Sequence, residues 1–338
     1  MAGYFLILST LAIVVHLLFA EVCLKTESRH RLPGYVRLYL GKRWSILAYI
    51  SICIGLFGAQ LAYLIVGGEF LAQLFSPYLG GNFFAYTLVF FIVGSFLIFK
   101  DIKSISLTEI FINLFFFAIL FLFLLKALPN ISSQNFTLFN PKNIFLPYGV
   151  VLFSLWGSAI IPEIKEMLGG DRQRLRKVII VGIILAALTY LLFSAIVIGV
   201  SGAKTSEEAL IGLQSSFGDG ILKIAYAFGV ITCFSSFLTL GLTLKKTFWY
   251  DLKLSERKSW AIASFVPLAL YLFGFKSFIE VISLSGAIAI GIEGIIDVSL
   301  YKKVLKEKSS IKMNPAFYFL SVFLLIGALA KIINYFKK

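Results

Sequence analysis

The chain has 338 residues, of which 59% are hydrophobic and only 14% charged, with a formal net charge of +14. No water-soluble domain of this length can enclose that much apolar side chain, so composition excludes a soluble enzyme and points to a polytopic α-helical membrane protein. Strand-like alternation is absent, which argues against an outer-membrane barrel, and three cysteines without a CxxC pair argue against a metal site or disulfide framework.

In chain order, ten apolar stretches are long enough to cross a bilayer: about 3–25, 45–75, 82–99, 104–126, 143–168, 176–201, 218–245, 259–274, 276–301 and 315–336. The first is not a cleavable signal peptide, because it lacks a basic leader and its apolar run is too long. The loops between spans alternate in charge. One set carries Arg31, Arg37, Lys42 and Arg43, then Lys100 and Lys103, then Arg172, Arg174 and Arg176, then Lys245, Lys253 and Lys258, then Lys302, Lys303 and Lys306. These loops hold most of the basic residues. The positive-inside rule makes them cytoplasmic, so both termini are expected outside and the protein in the plasma membrane. The same rule explains the basic charge without nucleic acid.

The span 143–168 contains Phe153-Ser-Leu-Trp-Gly-Ser-Ala-Ile-Ile-Pro-Glu163, with polar and helix-breaking residues near mid-membrane. Hydrocarbon offers no water to loose backbone groups, so a helix breaks at that depth only inside protein or beside a wet cavity. Interrupted spans of this kind point to a transporter's substrate site. Phe153, Ser154, Trp156, Gly157 and Ser158 are therefore candidate substrate contacts. Gly157 frees the backbone, Pro162 weakens the turn before it, and the exposed peptide ends suit an ion or a zwitterion. The alternative is a kink in which Gly and Ser serve tight helix packing.

In span 45–75, Gln60, Tyr63 and Gly67 share a face at i, i+3 and i+7, and Gln60 and Tyr63 are added as substrate candidates. Span 218–245 carries Thr232, Ser235, Ser236 and Thr239 on one face, which can offer oxygens to Na⁺ or simply back-bond to their own helix. Ionisable residues within spans are functional candidates. Glu293 is the strongest proton-relay candidate, His16 reads as a satisfied structural histidine, and Glu21 needs only solvation or a loop arginine.

Glu21-Val-Cys-Leu-Lys-Thr with Arg31-Leu-Pro-Gly-Tyr-Val-Arg-Leu-Tyr-Leu-Gly resembles the second helix and first inner loop of amino-acid permeases. Gly58-Ala-Gln-Leu-Ala-Tyr-Leu-Ile-Val-Gly resembles their third helix, Phe153 to Glu163 their broken sixth, and Ser235-Ser-Phe-Leu-Thr-Leu-Gly-Leu their eighth. The order and spacing identify the aromatic amino-acid (tryptophan/tyrosine) permease branch, related to the amino acid/auxin permeases, of the amino acid–polyamine–organocation superfamily. The resemblance implies an all-α, leucine-transporter-like inverted-repeat bundle, with substrate held at broken helices and touched by Tyr63, and with Ser235 and Thr239 near a sodium site. It also implies that the chain begins at the family's second helix. On that basis 1–127 forms an incomplete first repeat, 143–303 the second, and 315–336 an extra helix of one transporter domain.

The function expected is secondary active transport of aromatic or other neutral amino acids by ion-coupled alternating access, with H⁺ or Na⁺ as coupling ion and no other cofactor. The rival is a ligand-binding receptor subunit on a transporter scaffold, or a truncated, inactive permease. No zinc spacing, Ser/His/Asp set or phosphate loop suggests an enzyme.

Overall fold

The computed structural model describes residues 2–27, 30–101, 106–136, 146–205, 209, 213, 219–308 and 326–327. Twelve α-helices cover them: α1 (Ala2–Lys25), α2 (Leu32–Tyr39), α3 (Lys42–Leu79), α4 (Phe83–Phe99), α5 (Ser106–Ala127), α6 (Leu146–Leu155), α7 (Ile161–Met167), α8 (Arg172–Ser201), α9 (Asp219–Lys246), α10 (Glu256–Leu272), α11 (Phe278–Ser285) and α12 (Gly291–Lys308). Seven helical stretches among the described residues are long and apolar enough to cross a bilayer, and Phe83–Phe99 is a shorter apolar helix. The expected span 143–168 is divided into α6 and α7. Span 276–301 is divided into α11, a π-helical turn Gly286–Ile290, and α12. The expected last span, 315–336, lies outside the described residues apart from 326–327.

The chain forms two compact units, Met1–Gly55 with Asn140–Leu191 and Ile282–Lys338, and Leu56–Phe139 with Leu192–Val281. Large apolar side chains such as Ile92 and Phe96 on α4 and Leu114 and Phe121 on α5 are exposed, as a lipid-facing helix requires.

In the first unit α1 packs on α6, α7 and α12. Leu8, Leu11, Ala12, Val15, Phe19 and Val22 of α1 recur at helical spacing and are buried. They share a core with Leu152 and Leu155 of α6 and Ile296 and Leu300 of α12. Helix α2 lies where the sequence suggests only a basic loop. Leu32, Tyr35 and Val36 form its buried stripe while Arg37 faces out, the pattern of a short interfacial helix. Its Tyr35 meets Phe19 edge-on at 5.7 Å between centroids. Burial, with Cys23 alongside, holds the Tyr35 hydroxyl above the usual tyrosine range, so it keeps its proton.

The basic end of this unit is tied by ion pairs. Glu21 meets Arg172 at 2.9 Å and Arg176 at 3.6 Å, and Arg31 meets Glu163 at 2.7 Å. Lys165 Nζ donates to the Cys23 and Thr26 carbonyls at 2.7 and 2.9 Å, at the C-terminal end of α1 where the helix dipole favours a cation.

In the second unit, glycines let helices touch backbone to side chain. A Cβ at Gly67 would fall 2.3 Å from the Phe90 ring, and one at Gly68 would fall 2.3 Å from Thr87 Oγ1. Gly80 and Gly81, at φ 68° and 90°, reverse the chain after α3, and Asn82 Oδ1 accepts from Ala85 N at 3.0 Å to cap α4. The far end of α4 is held by Lys245 of α9. This lysine is fully buried, 2.8 Å from Glu256, and its Nζ donates to the Ile98 and Phe99 carbonyls at 3.4 and 3.3 Å.

Candidate functional site

The α6 helix stops at Leu155, and Trp156 and Gly157 have no regular structure. Gly157 takes φ −141° and ψ 25°, a 3₁₀ turn covers Ser158–Ile160, and α7 begins at Ile161. Pro162 occupies the first turn of α7, where its missing N–H deprives the helix of nothing. The polypeptide therefore unwinds around Trp156 and Gly157, where the sequence places the interruption.

The groups released by the break have specific partners. Gly157 N–H donates to His16 Nε2 at 2.8 Å, while His16 Nδ1–H donates to the Ala12 carbonyl at 2.7 Å. Accepting a peptide N–H at Nε2 requires the neutral ring with its proton on Nδ1. The imidazole also meets the Trp156 ring edge-on, with centroids 5.0 Å apart. His16 is thus structural, as the sequence reading has it, but what it satisfies is the broken helix. Ser154 Oγ–H donates to Val151 O at 2.9 Å within α6. Ser158, fully buried, donates its hydroxyl proton to the Glu293 carboxylate. The Trp156 indole N–H lies near the same carboxylate without closing a hydrogen bond. Phe153 is partly buried against this core, and a Cβ at Gly286 would stand 2.9 Å from its own Cβ.

The second interruption explains how Glu293 reaches the break. Across the widened turn Gly286–Ile290, Gly286 presses on Gly149 O of α6; an added Cβ there would lie 2.3 Å from that oxygen. Gly149 in turn faces the Ser283 carbonyl, 2.4 Å from where its own Cβ would be. The Ala289 carbonyl accepts from Ser51 Oγ at 2.6 Å. Such π turns expose backbone groups within a helix and recur at functional places. One turn further on, Asp297 follows Glu293 on the same face, fully buried. It went unremarked in the sequence, although a second acid four residues after Glu293 was a readable signal.

The other sequence candidates belong to the second unit. Gln60 is fully buried, with neither amide atom hydrogen-bonded, and a Cβ at Gly241 would approach its Nε2 to 2.8 Å. Tyr63 is half-buried one turn away. Thr232 donates to Gly229 O at 3.0 Å and Thr239 to Ser235 O at 3.0 Å, so both hydroxyl protons go to their own helix. Ser235 and Ser236 are half-buried and Thr239 is exposed. Among the described residues no three His, Cys, Asp or Glu side chains are grouped to hold a metal ion.

An all-α chain with several bilayer-length helices, two of them interrupted, is an integral membrane protein of the broken-helix transporter class. The sequence model of the tryptophan/tyrosine permease family matches residues 1–334, and the chain belongs to that family. It is a permease and not an enzyme. No curated protein matches it. Its structure is similar to the crystal structure of a mutant manganese transporter from Eremococcus coleocola, with a TM-score of 0.55 at 12% identity over 98% of this chain and 86% of that one. At that identity the likeness bears on the fold alone, which is the leucine-transporter-like bundle expected from the sequence.

Proposed function

We propose that the chain carries aromatic or other neutral amino acids across the plasma membrane by ion-coupled alternating access, with the substrate bound at the break between α6 and α7. Family membership supports an aromatic amino-acid substrate. The observation that carries the site is the unwound Trp156–Gly157 segment, which ends α6, where a helix's last carbonyls lose their intrahelical partners, beside a large amphipathic ring. The amino acid's ammonium suits the carbonyl end of α6 and its carboxylate suits the N-terminal turn that starts at Ser158. Phe153 and Trp156 supply apolar and aromatic surface for the side chain, and the Ser154 and Ser158 hydroxyls, whose protons go to Val151 O and Glu293, keep lone pairs that can accept from the ammonium.

Uptake of labelled amino acids into proteoliposomes, competed by each of the twenty amino acids with and without Na⁺, tests the reading. Tryptophan, tyrosine or phenylalanine should compete best, and Ser158→Ala should lower uptake at least tenfold with the protein still in the membrane. Binding without flux would favour the receptor reading. Undiminished uptake in Ser158→Ala would remove the break from the substrate path.

A further inference from the structure

We propose that the turn joining α2 to α3 binds an anionic phospholipid, whose headgroup phosphate meets Arg37, Lys42 and Arg43 and whose acyl chains lie along Ile46 and Ile50. The site stands apart from the α6–α7 break and does not depend on what the chain carries.

Several basic side chains at this end of the first unit already have partners. Arg31 meets Glu163, Arg172 and Arg176 meet Glu21, Arg174 meets Asp171, and Lys165 is fixed on two carbonyls. Arg37, Lys42 and Arg43 differ. All three are exposed, and among the described residues none has an acidic partner. They stand on either side of one short link, Arg37 in the last turn of α2 and Lys42 and Arg43 in the first turn of α3, where no acid offsets them.

The link is firmly held. Leu40 N–H and Gly41 N–H both donate to Val36 O, at 2.8 and 3.1 Å, and Gly41 takes φ 90°, a left-handed conformation that suits glycine after a helix end. Ser45 Oγ donates to Pro33 O at 3.0 Å and so ties the start of α3 to α2. The Tyr39 hydroxyl shares a hydrogen bond with Thr26, just past α1, at 2.9 Å. With Leu32, Tyr35 and Val36 buried, Arg37 and Leu38 are left as the outward side of α2. A surface ordered beforehand gives up little conformational freedom when a ligand arrives.

The apolar residues beside the cations identify that ligand. Leu38, Trp44, Ile46 and Ile50 are also exposed. Along α3, Lys42, Ile46 and Ile50 follow at i, i+4 and i+8 with Arg43 adjoining, so one face passes from charge to hydrocarbon over about 12 Å. A phospholipid has the same order, phosphate first and acyl chain after it. Trp44, at the mouth of the span, is a residue type that settles at headgroup level. Soluble phosphate would use the cations and leave the apolar face wet. A zwitterionic lipid would cover the apolar face and leave three like charges unbalanced. The positive-inside rule places this end at the cytoplasmic leaflet, whose anionic lipids attract basic segments beside a span.

Native mass spectrometry of the full chain, in non-ionic detergent with equal phosphatidylglycerol and phosphatidylcholine, tests the site. Wild-type protein should retain phosphatidylglycerol in preference to phosphatidylcholine. Added phosphatidylglycerol should raise its melting temperature, and glycerol phosphate should not. The triple variant Arg37→Gln, Lys42→Gln, Arg43→Gln should bind phosphatidylglycerol about a hundredfold more weakly, since each cation at an anionic headgroup contributes about fivefold. Lys253→Gln, Arg257→Gln and Lys258→Gln together remove three exposed charges from the second unit's basic end and should leave binding unchanged. Equal loss in both triple variants would reveal a diffuse positive surface and overturn the site. So would wild-type protein that retains the two lipids equally, whether or not either variant folds. Stabilisation by glycerol phosphate alone would make the ligand a soluble phosphate and overturn the lipid.

Discussion

A histidine in the middle of a membrane helix is costly unless both nitrogens are used. His16 uses one on its own helix and the other on the peptide N–H of Gly157, 141 positions away. The fit is chemical: an unwound segment releases a donor, and a neutral imidazole is an acceptor that can cross the gap between helices. Replacing His16 by leucine should orphan the Gly157 N–H and lower stability by about 1–3 kcal/mol. Glutamine, which retains an acceptor, should recover part of it, and thermal unfolding in detergent measures both. Equal loss in the two variants would mean the ring's packing on Trp156 matters more than its nitrogen. Sequence alone marked His16, Glu293 and the 153–158 segment separately; that His16 closes the break and that Ser158 bonds Glu293 are facts of folding. Such pairings span more than a hundred residues, and no local pattern encodes them.

At the scale of elements, both interruptions rest on small residues at one crossing. Gly149 of α6 and Gly286 of the π turn each stand where a Cβ would meet the other strand of backbone at 2.3–2.4 Å. Overpacking of this kind typically costs about 1–3 kcal/mol, and here the obstacle is carbonyl backbone, which cannot rotate away. Gly149→Leu should therefore lower the melting temperature and abolish uptake. Gly182→Leu in α8, where nothing lies within 4 Å of an added Cβ, should be tolerated or slightly stabilising, since glycine is a poor helix former. A melting curve for Gly149→Leu that matches Gly182→Leu would show that the crossing can relax. The α6–α7 break was legible because Gly157 and Pro162 are visible helix breakers. The Gly286–Ile290 turn was not: its Gly-Ala-Ile-Ala-Ile sequence is ordinary membrane helix, and only the approach of α6 gives the widened turn a purpose. Helix α2 was overlooked for the opposite reason, since an eight-residue stripe among basic residues carries too little apolar signal to stand out.

For the whole molecule, the alternation of charged loops yields an orientation that can be checked directly. Cys23, Cys53 and Cys233 are buried or half-buried, so new surface cysteines can be labelled over a low background. Lys258→Cys at the start of α10 should react with a membrane-impermeant maleimide only after cells are opened, whereas Asn130→Cys should react in intact cells. The reverse pattern would invert the topology. Composition and the length of apolar runs were enough to determine a polytopic α-helical membrane protein and most of its spans, because lipid imposes the same length and hydrophobicity on every span; the permease family was legible only from the resemblance of several motifs in order. Which polar groups inside those spans meet was settled only by tertiary packing. A buried hydroxyl, imidazole or carboxyl takes its chemistry from the partner across the helix interface, and that partner is chosen by the fold.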